Sequence, residues 1–424
     1  MMAKRASWLA KTLIAVLAIS FGLFAPTQAR AISLTQADLF NPARINRVEL
    51  SIPDASASSL NNRRTAKEYV AATFKFTSNG LSIGPIDVGI RMKGSTSLDN
   101  LSGTPSFKVA FNWKLLKGNR FLGLKNLTLN AMTQDGSKLH EYGAYKLFNL
   151  MGVPAPRTGW NELRINNSSR GLYLSLESVD DIFLNSRFRD VTQHLYEGVA
   201  LNDLKPGKAN GGENDGGYLV KEGWGALQNK ADLQKLINAA NYSTGSAWWT
   251  KLGTVMDRTA LLKMLAVENF IGHWDGYSGP LQNNHFLRSN NLGKFTMLPW
   301  GTDQTFGENR ATRELLDDYF MPLDKSAAGF PWVQQAFKKD TMPRGMLFTK
   351  CLAYKTCKAA YLSQLKAVSA KITSAKFVTS MKAAATTIAT YSPADVKAEQ
   401  VRVQSWIAKQ QSRVTAVLKA NGIR

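Results

Sequence analysis

The sequence predicts an α+β protein of two lobes with a cleft between them, a β-rich N-terminal lobe and a mainly helical C-terminal lobe. Three observations predict it. Residues 45 to about 180 form a series of short β-rich runs interrupted by one helical stretch, and beyond about 180 the pattern turns mostly helical. The length of 424 residues, with 44% hydrophobic side chains, is ample for a sizeable core and suits one large bilobed unit or two to three smaller ones.

Residues 1–31 read as an export signal rather than as part of the fold. Lys4, Arg5 and Lys11 make a basic start, and Leu13–Phe24 is an apolar run shorter than the roughly 20 residues that span a bilayer. Ala29-Arg30-Ala31 offers a cleavage site, and the small residues there favour cleavage over an uncleaved membrane anchor. Removing residues 1–31, with four basic and no acidic side chains, leaves 393 residues and lowers the formal charge from +22 to +18. No second long apolar run follows, so the expected product is exported (secreted, periplasmic or in the cell envelope) without a transmembrane segment.

Residues 32–180 are assigned to the N-terminal lobe. Its strand-like runs are Arg47–Ile52, Val70–Phe76, Ile86–Met92, Phe107–Trp113, Leu127–Asn130 and Gly171–Leu176, several alternating apolar and polar residues between turn residues. Lys138–Met151 carries Leu139, Tyr142, Leu147, Leu150 and Met151 near helical spacing, and Gly152, Pro154 and Pro156 end it. Residues 181–424 form the helical lobe. Pro206–Tyr218 is a Gly/Asn-rich loop, Ala231–Ala240 and Arg258–Ile271 are helices, and His285–Arg288 with Lys294–Trp300 are a strand pair turning at Asn290-Asn291. The last helix is expected to use Ser392 as N-cap, Pro393 as first residue and Asn421-Gly422 as stop; Val396, Val403, Ile407, Val414 and Leu418 make one apolar stripe for core packing. Cys351 and Cys357 either form a local disulfide, as an exported protein allows, or remain two thiols on one helical stretch.

The chemistry narrows by exclusion. The four histidines, His140, His194, His273 and His285, build no H-E-x-x-H, and no Cys/His cluster has zinc spacing. There is no G-x-S-x-G elbow and no G-x-x-x-x-G-K-[ST] loop. What remains is carboxylates, amides and lysines near loops, densest in His273-Trp274-Asp275-Gly276-Tyr277, Asn283-Asn284 and Pro299-Trp300-Gly301-Thr302-Asp303. An Asp, then an Asn, then a second Asp after a strand is the order of a kinase-type phosphoryl-transfer site, although Asp and Asn also cap ordinary loop turns. The basic residues are scattered rather than clustered with aromatics, so they predict no specific nucleic-acid partner; an anionic envelope component is compatible with the charge.

At these residues the chain resembles the CotH family of secreted atypical protein kinases. Arg91-Met92-Lys93-Gly94-Ser95-Thr96-Ser97 is similar to the family's R-x-R-G-x-S-S segment, and Ser106-Phe107-Lys108-Val109-Ala110-Phe111 to its K-S-[FY]-K-[IVL]-x-F strand. Phe121–Lys125 with Leu127–Ala131, Gly152–Arg157, Gly171–Glu177, Asp275-Gly276-Tyr277 and Pro299–Gly307 resemble further family segments in the same order. The resemblance implies a two-lobed protein-kinase-like fold, ATP, a divalent metal (Mg²⁺ or Mn²⁺), and phosphorylation of Ser or Thr on an exported protein substrate.

It also implies roles. Lys108 reaches the ATP phosphates as a point charge, and Glu141 on the first-lobe helix pairs with it. Arg91, Gly94, Ser95, Thr96 and Ser97 surround phosphate, and Glu177 marks the adenine-contacting junction of the lobes. Asp275 is the catalytic base, and Asn284, with Asn283 as competitor, and Asp303 hold the metal. One departure stands out: the family carries Asp directly after Pro-Trp, where this chain has Gly301, so only Asp303 survives as the acidic position. The alternative is therefore a pseudokinase, a module that binds a nucleotide or an envelope partner without turnover.

Overall fold

The computed structural model describes residues 33–62, 67–94, 98–114, 118–190, 194–201, 203–209, 217–222, 230–307, 323–324, 341–342 and 344–423. The export signal at 1–31, the residues Ser95, Thr96 and Ser97, and most of the expected Gly/Asn-rich loop lie outside them.

The first half runs α1 (Gln36–Leu39), β1 (Ile45–Ser51), α2 (Asp54–Asn62), β2 (Val70–Ser78), β3 (Leu81–Lys93), β4 (Ser106–Ala110), β5 (Asn126–Asn130), α3 (His140–Leu150), β6 (Thr158–Ile165) and β7 (Ser168–Glu177). The seven strands close into a barrel in the order β1-β2-β3-β4-β5-β7-β6, shut by parallel pairing of β1 with β6. Closure leaves no edge strand, and alternation decides what fills it. Val48, Leu50, Phe74, Phe76, Ile90, Phe107, Val109, Leu127 and Leu129 are all buried in one core. Phe74 stacks edge-on against Phe111 and Phe121 at ring separations of 5.2 and 4.9 Å.

The sequence reading missed β6. Gly159, Asn161, Glu162 and Arg164 dilute its apolar pattern, yet the segment is paired on both sides, to β1 and to β7. Its glycine is a packing requirement, because a Cβ at Gly159 would stand 2.0 Å from the carbonyl oxygen of Leu39 at the end of α1.

The second half continues with α4 (Asp181–Arg187), β8 (Leu195–Glu197), β9 (Leu219–Glu222), α5 (Ala231–Asn241), α6 (Gly245–Val255), α7 (Arg258–Ile271), β10 (His285–Ser289) and β11 (Phe295–Pro299). It ends with α8 (Met346–Ala353), α9 (Lys355–Ser374), α10 (Phe377–Thr387) and α11 (Ala394–Ala420). The expected pair β10–β11 belongs to a four-stranded sheet, β11-β10-β8-β9. The expected helix Arg258–Ile271 is present: Asp257 caps it by accepting from the N–H groups of Thr259 and Ala260, both at 3.0 Å, and Gly272 ends it at φ 67°.

The apolar stripe of α11 is buried as expected, and Gly422 follows its end at φ 69°. Its start differs from the expectation. Ser392 is not the N-cap: its hydroxyl donates to the Ile388 carbonyl at 3.0 Å, Pro393 takes the cap position and Ala394 is the first helical residue. Cys351 and Cys357 form a disulfide. It joins the end of α8 to the start of α9 across a break at Tyr354, so the two cysteines do not share one helix.

Leu34–Arg424 cluster as one compact unit. The packing explains this. On β7, Tyr173 points into the barrel core, whereas Leu172, Leu174 and Leu176 point outward into a second core with α3 and α7. One strand thus serves both cores, and α3 is packed between the barrel and the helices. Among the described residues, no helix is long and apolar enough to cross a membrane.

Candidate functional site

Two rows of side chains cross one face of the barrel. Arg91, Lys108 and Thr128 are cross-strand neighbours on β3, β4 and β5. One step along, Lys93 pairs with Ser106, whose hydroxyl donates to Asn130 Oδ1 at 3.1 Å. Directly opposed residues share a face, and the alternate residues Met92, Phe107 and Leu129 fill the barrel, so both rows face away from it.

That face walls a cleft of about 450 Å³. The barrel contributes Lys67, Arg91, Lys93, Gly94 and Lys108; the segments around β8 and β9 contribute Glu197, Gly198, Val199, Ala200, Leu219 and Lys221; Asn283, Asn284 and Trp300 complete it. Among the described residues, the lining holds five cationic side chains and one carboxylate, and that carboxylate, Glu197, is already bonded to Lys221 at 2.7 Å. The charge of this lining favours an anion. Lys108 lies 5.5 Å from the centre of the Trp300 ring. Burial, then the positive charge of Lys221, pushes its amine down to about 8, with Glu197 opposing.

Glu141 does not pair with Lys108. Its carboxylate, 2% exposed in the first turn of α3, takes a short hydrogen bond from the Asn130 amide and a long one of 3.4 Å from the Tyr145 hydroxyl. Asn130 stands in the Lys93 row, so α3 meets the barrel one ladder step away from Lys108. Burial, then the nearby charge of Asp303, pushes the Glu141 carboxyl well up, while Lys93 opposes the rise. Asp303 behaves alike: burial raises it and Lys93 is the foremost opposing charge. The backbone carbonyl of Asp303 accepts from His140 Nδ1 at 2.8 Å, tying its segment to the start of α3.

Opposite the barrel, Asp275 stands in the loop after α7. Asn283 Nδ2 donates to its Oδ1 at 3.2 Å and Asn284 Nδ2 to its Oδ2 at 2.6 Å. Both amides that competed for one role in the sequence reading thus hold the same carboxylate. Burial pushes Asp275 up to about 7; His273 and the two amides oppose this and Asp303 adds to it. The loop is anchored from beneath by Glu268, fully buried on α7, which accepts from the N–H groups of Tyr277 at 3.1 Å and Ser278 at 2.8 Å. His273 Nε2–H donates to the Gly301 carbonyl at 3.1 Å and joins the Asp275 loop to the segment carrying Asp303.

Gly301 has φ 51°, and a Cβ there would lie 2.5 Å from both Cγ and Oδ1 of Asn284. The space a side chain at 301 would enter is already filled by the Asn284 amide.

The structure therefore brings Arg91, Gly94, Lys108, Asn283 and Asn284 to the cleft wall, with Asp275 bonded to the two amides. Asp303 and Glu141 act on each other electrostatically toward α3. It does not bring Glu177. That carboxylate, 1% exposed at the end of β7, is taken by Arg157 Nε and Nη2 at 3.0 and 2.6 Å and by Arg187 Nη1 at 3.0 Å. Both its oxygens are committed to Arg157 and Arg187, so Glu177 anchors the end of β7 and does not line this cleft. Sequence reasoning overlooked Lys93, Lys67, Lys221 and Glu197. For Lys93 a signal existed: it stands two residues from Arg91 on a strand and so shares its face.

Two buried carboxyls set a pH dependence, Asp275 and, beneath its loop, Asp203, which accepts from the Tyr277 hydroxyl at 3.0 Å and the Met346 N–H at 2.8 Å. Burial raises Asp275 to about 7 and Asp203 to about 6, so between pH ~4 and ~7 the folded chain holds protons that the unfolded chain has released. Their stabilisation is complete at low pH and is lost as pH rises through those values. Lys108, lowered to about 8, works the other way only above pH ~8. Thermal melts without metal or nucleotide are expected to show a melting temperature that falls from pH 5 to pH 7, and less steeply in Asp275→Asn. An equally steep fall in that variant contradicts the assignment to Asp275.

A family model described as "CotH kinase protein" matches residues 90–417, a span that holds every residue of this cleft except Lys67. The chain belongs to the CotH family. It is 24% identical over 241 residues to the inner spore coat protein H of Bacillus subtilis, a match covering 55% of this chain and 63% of that protein. It is 23% identical over 291 residues to the invasin CotH2 of Rhizopus delemar, covering 65% of this chain and 46% of that one. The CotH chain thus spans less than two thirds of the length of either relative. Among solved structures, it is similar to the Helicobacter pylori proinflammatory kinase CtkA at a TM-score of 0.34 and 12% identity, covering 70% of this chain and 94% of that one. It is also similar to a chain of the Shewanella oneidensis MR-1 toxin–antitoxin complex of HipA, HipB and operator DNA at 0.33 and 10%, covering 85% and 78%.

Proposed function

We propose that this CotH chain is an exported phosphotransferase of two-lobed, protein-kinase-like build that moves the γ-phosphate of ATP to a Ser or Thr hydroxyl of an exported protein. Residues 32–180 serve as the nucleotide lobe and 181–424 as the catalytic lobe. One observation carries the reading: the cleft sets a wall of cations opposite Asn283 and Asn284, the two amides that hold both oxygens of Asp275. The family description and the Cys351–Cys357 disulfide, suited to an oxidising compartment, support it.

The residues present fit the groups this activity needs. Five cations match the charge of a triphosphate. Mg²⁺ or Mn²⁺ binds through one or two carboxylates plus phosphate oxygens, and Asp303 and the Asn284 amide oxygen are the donors that would hold it. When bound, the metal neutralises charge on the phosphates. The chain's own residues do the rest. Lys108 and Arg91 hold phosphate oxygens. Asp275 accepts the proton of the acceptor hydroxyl as the new O–P bond forms and the bond from the γ-phosphorus to its bridging oxygen breaks, releasing ADP. Glu268 and His273 keep the Asp275 loop and the 301–303 segment in register.

The test is transfer of labelled γ-phosphate by the purified chain, to itself or to a Ser-rich acceptor, with Mg²⁺ or Mn²⁺. Label on Ser or Thr is the expected result. Gly301 motivates a second reading, a nucleotide-binding module without turnover; nucleotide-dependent stabilisation with no transfer under either metal selects that reading instead.

A further inference from the structure

We propose that Lys93, rather than Lys108, is the lysine that positions the nucleotide phosphates against the Glu141–Asp303 carboxylates, an assignment that rests on the phosphotransferase reading above. The argument is geometric. Lys93, Ser106 and Asn130 form a continuous cross-strand row, closed by the hydrogen bond from Asn130 to Glu141. Lys108 stands one row further on, beside Arg91 and Thr128, with Trp300 near its amine. A lysine in that row is directed toward the β8–β9 side of the cleft, where Lys221 and Glu197 are its foremost charged neighbours. Lys93 lines the same cleft, and of the cations facing it Lys93 is the one whose charge acts on both Glu141 and Asp303.

The two lysines therefore divide the work. Lys93 lines the cleft at the end of the row that leads through Ser106 and Asn130 to Glu141. Lys108 holds the opposite side of the polyphosphate. Charge-assisted contacts to phosphate are the strong kind.

The test compares binding of the non-hydrolysable analogue AMP-PNP with binding of adenosine, so that only the phosphate contribution is read. Lys93→Met is expected to lower the preference for AMP-PNP over adenosine by about tenfold or more, with adenosine affinity unchanged, and Lys93→Arg to keep it within about threefold. If Lys93→Met keeps the wild-type preference while Lys108→Met loses it, the assignment to Lys93 is overturned and the nucleotide reading stands. If Lys93→Met loses adenosine and AMP-PNP alike and Lys93→Arg fails to rescue either, the lysine is structural and the inference falls. A wild-type chain that binds no AMP-PNP overturns the phosphotransferase reading itself, and this inference with it.

Discussion

Replacing Asp275 by Ala is expected to lower γ-phosphate transfer by about 10²–10⁴-fold, the usual contribution of a positioned proton acceptor. Nucleotide affinity should change little, because Asp275 is not among the side chains that line the cleft; Asn283 and Asn284 stand between. Those amides hold each oxygen of the carboxylate, which limits its rotation and leaves one orientation from which it accepts a proton. Burial holds the group up to about 7, so it is largely ionised only above that pH, and wild-type transfer should climb as pH rises through neutrality. Asp275→Asn separates shape from basicity: it preserves the outline of the loop yet cannot accept a proton. Transfer rates with saturating ATP, alongside AMP-PNP affinity for each variant, check this. Near-wild-type transfer in either variant would sink the assignment of Asp275 as base.

How much of this was legible in the sequence depended on whether the signal was local. The helix Arg258–Ile271 and the buried stripe of the last helix were readable from periodicity alone, because each has one face to bury and clear end signals. The strand Thr158–Ile165 was not, since its pairing partners on both sides, and not its own pattern, make it a strand. The site divides in the same way. Asp275, Asn283 and Asn284 lie close in sequence, and the loop that holds them brings both amides onto the carboxylate. Lys108 and Glu141 were joined by analogy, but strand register decides which lysine stands beside α3, and no single run of residues contains that register. Glu177 failed for a related reason: Arg157 and Arg187, which occupy its carboxylate, are 20 and 10 residues away and reach it only once β7 and α4 are folded.

Gly301→Asp looks at first like a repair of the family pattern, yet it is expected to destabilise the chain and lower transfer. Residue 301 sits at φ 51°, where a side chain costs about 1–2 kcal/mol. The new Cβ would stand 2.5 Å from Cγ and Oδ1 of Asn284, so that amide must move, and its 2.6 Å bond to Asp275 goes with it. Losing a hydrogen bond to a charged group costs a further ~1.5–3 kcal/mol. The substitution also sets a third carboxylate beside Asp275 and Asp303, both already pushed up by burial. A loss of about 2.5–5 kcal/mol and a drop in transfer of at least roughly tenfold are expected from these terms. Gly301→Ala, which brings the same Cβ without the charge, should lose most of the stability but less of the activity. Pairing Gly301→Asp with Asn284→Ser, which withdraws the amide from that space, should recover part of the stability. Thermal melts of the three variants alongside transfer rates decide the matter. A Gly301→Asp chain that is as stable as wild type and transfers phosphate faster would show that Asn284 yields freely and that the natural chain is the catalytically impaired form. The opposite outcome means that Gly301 and Asn284 are a matched pair, with the absent side chain at one position making room for the amide that orients the base.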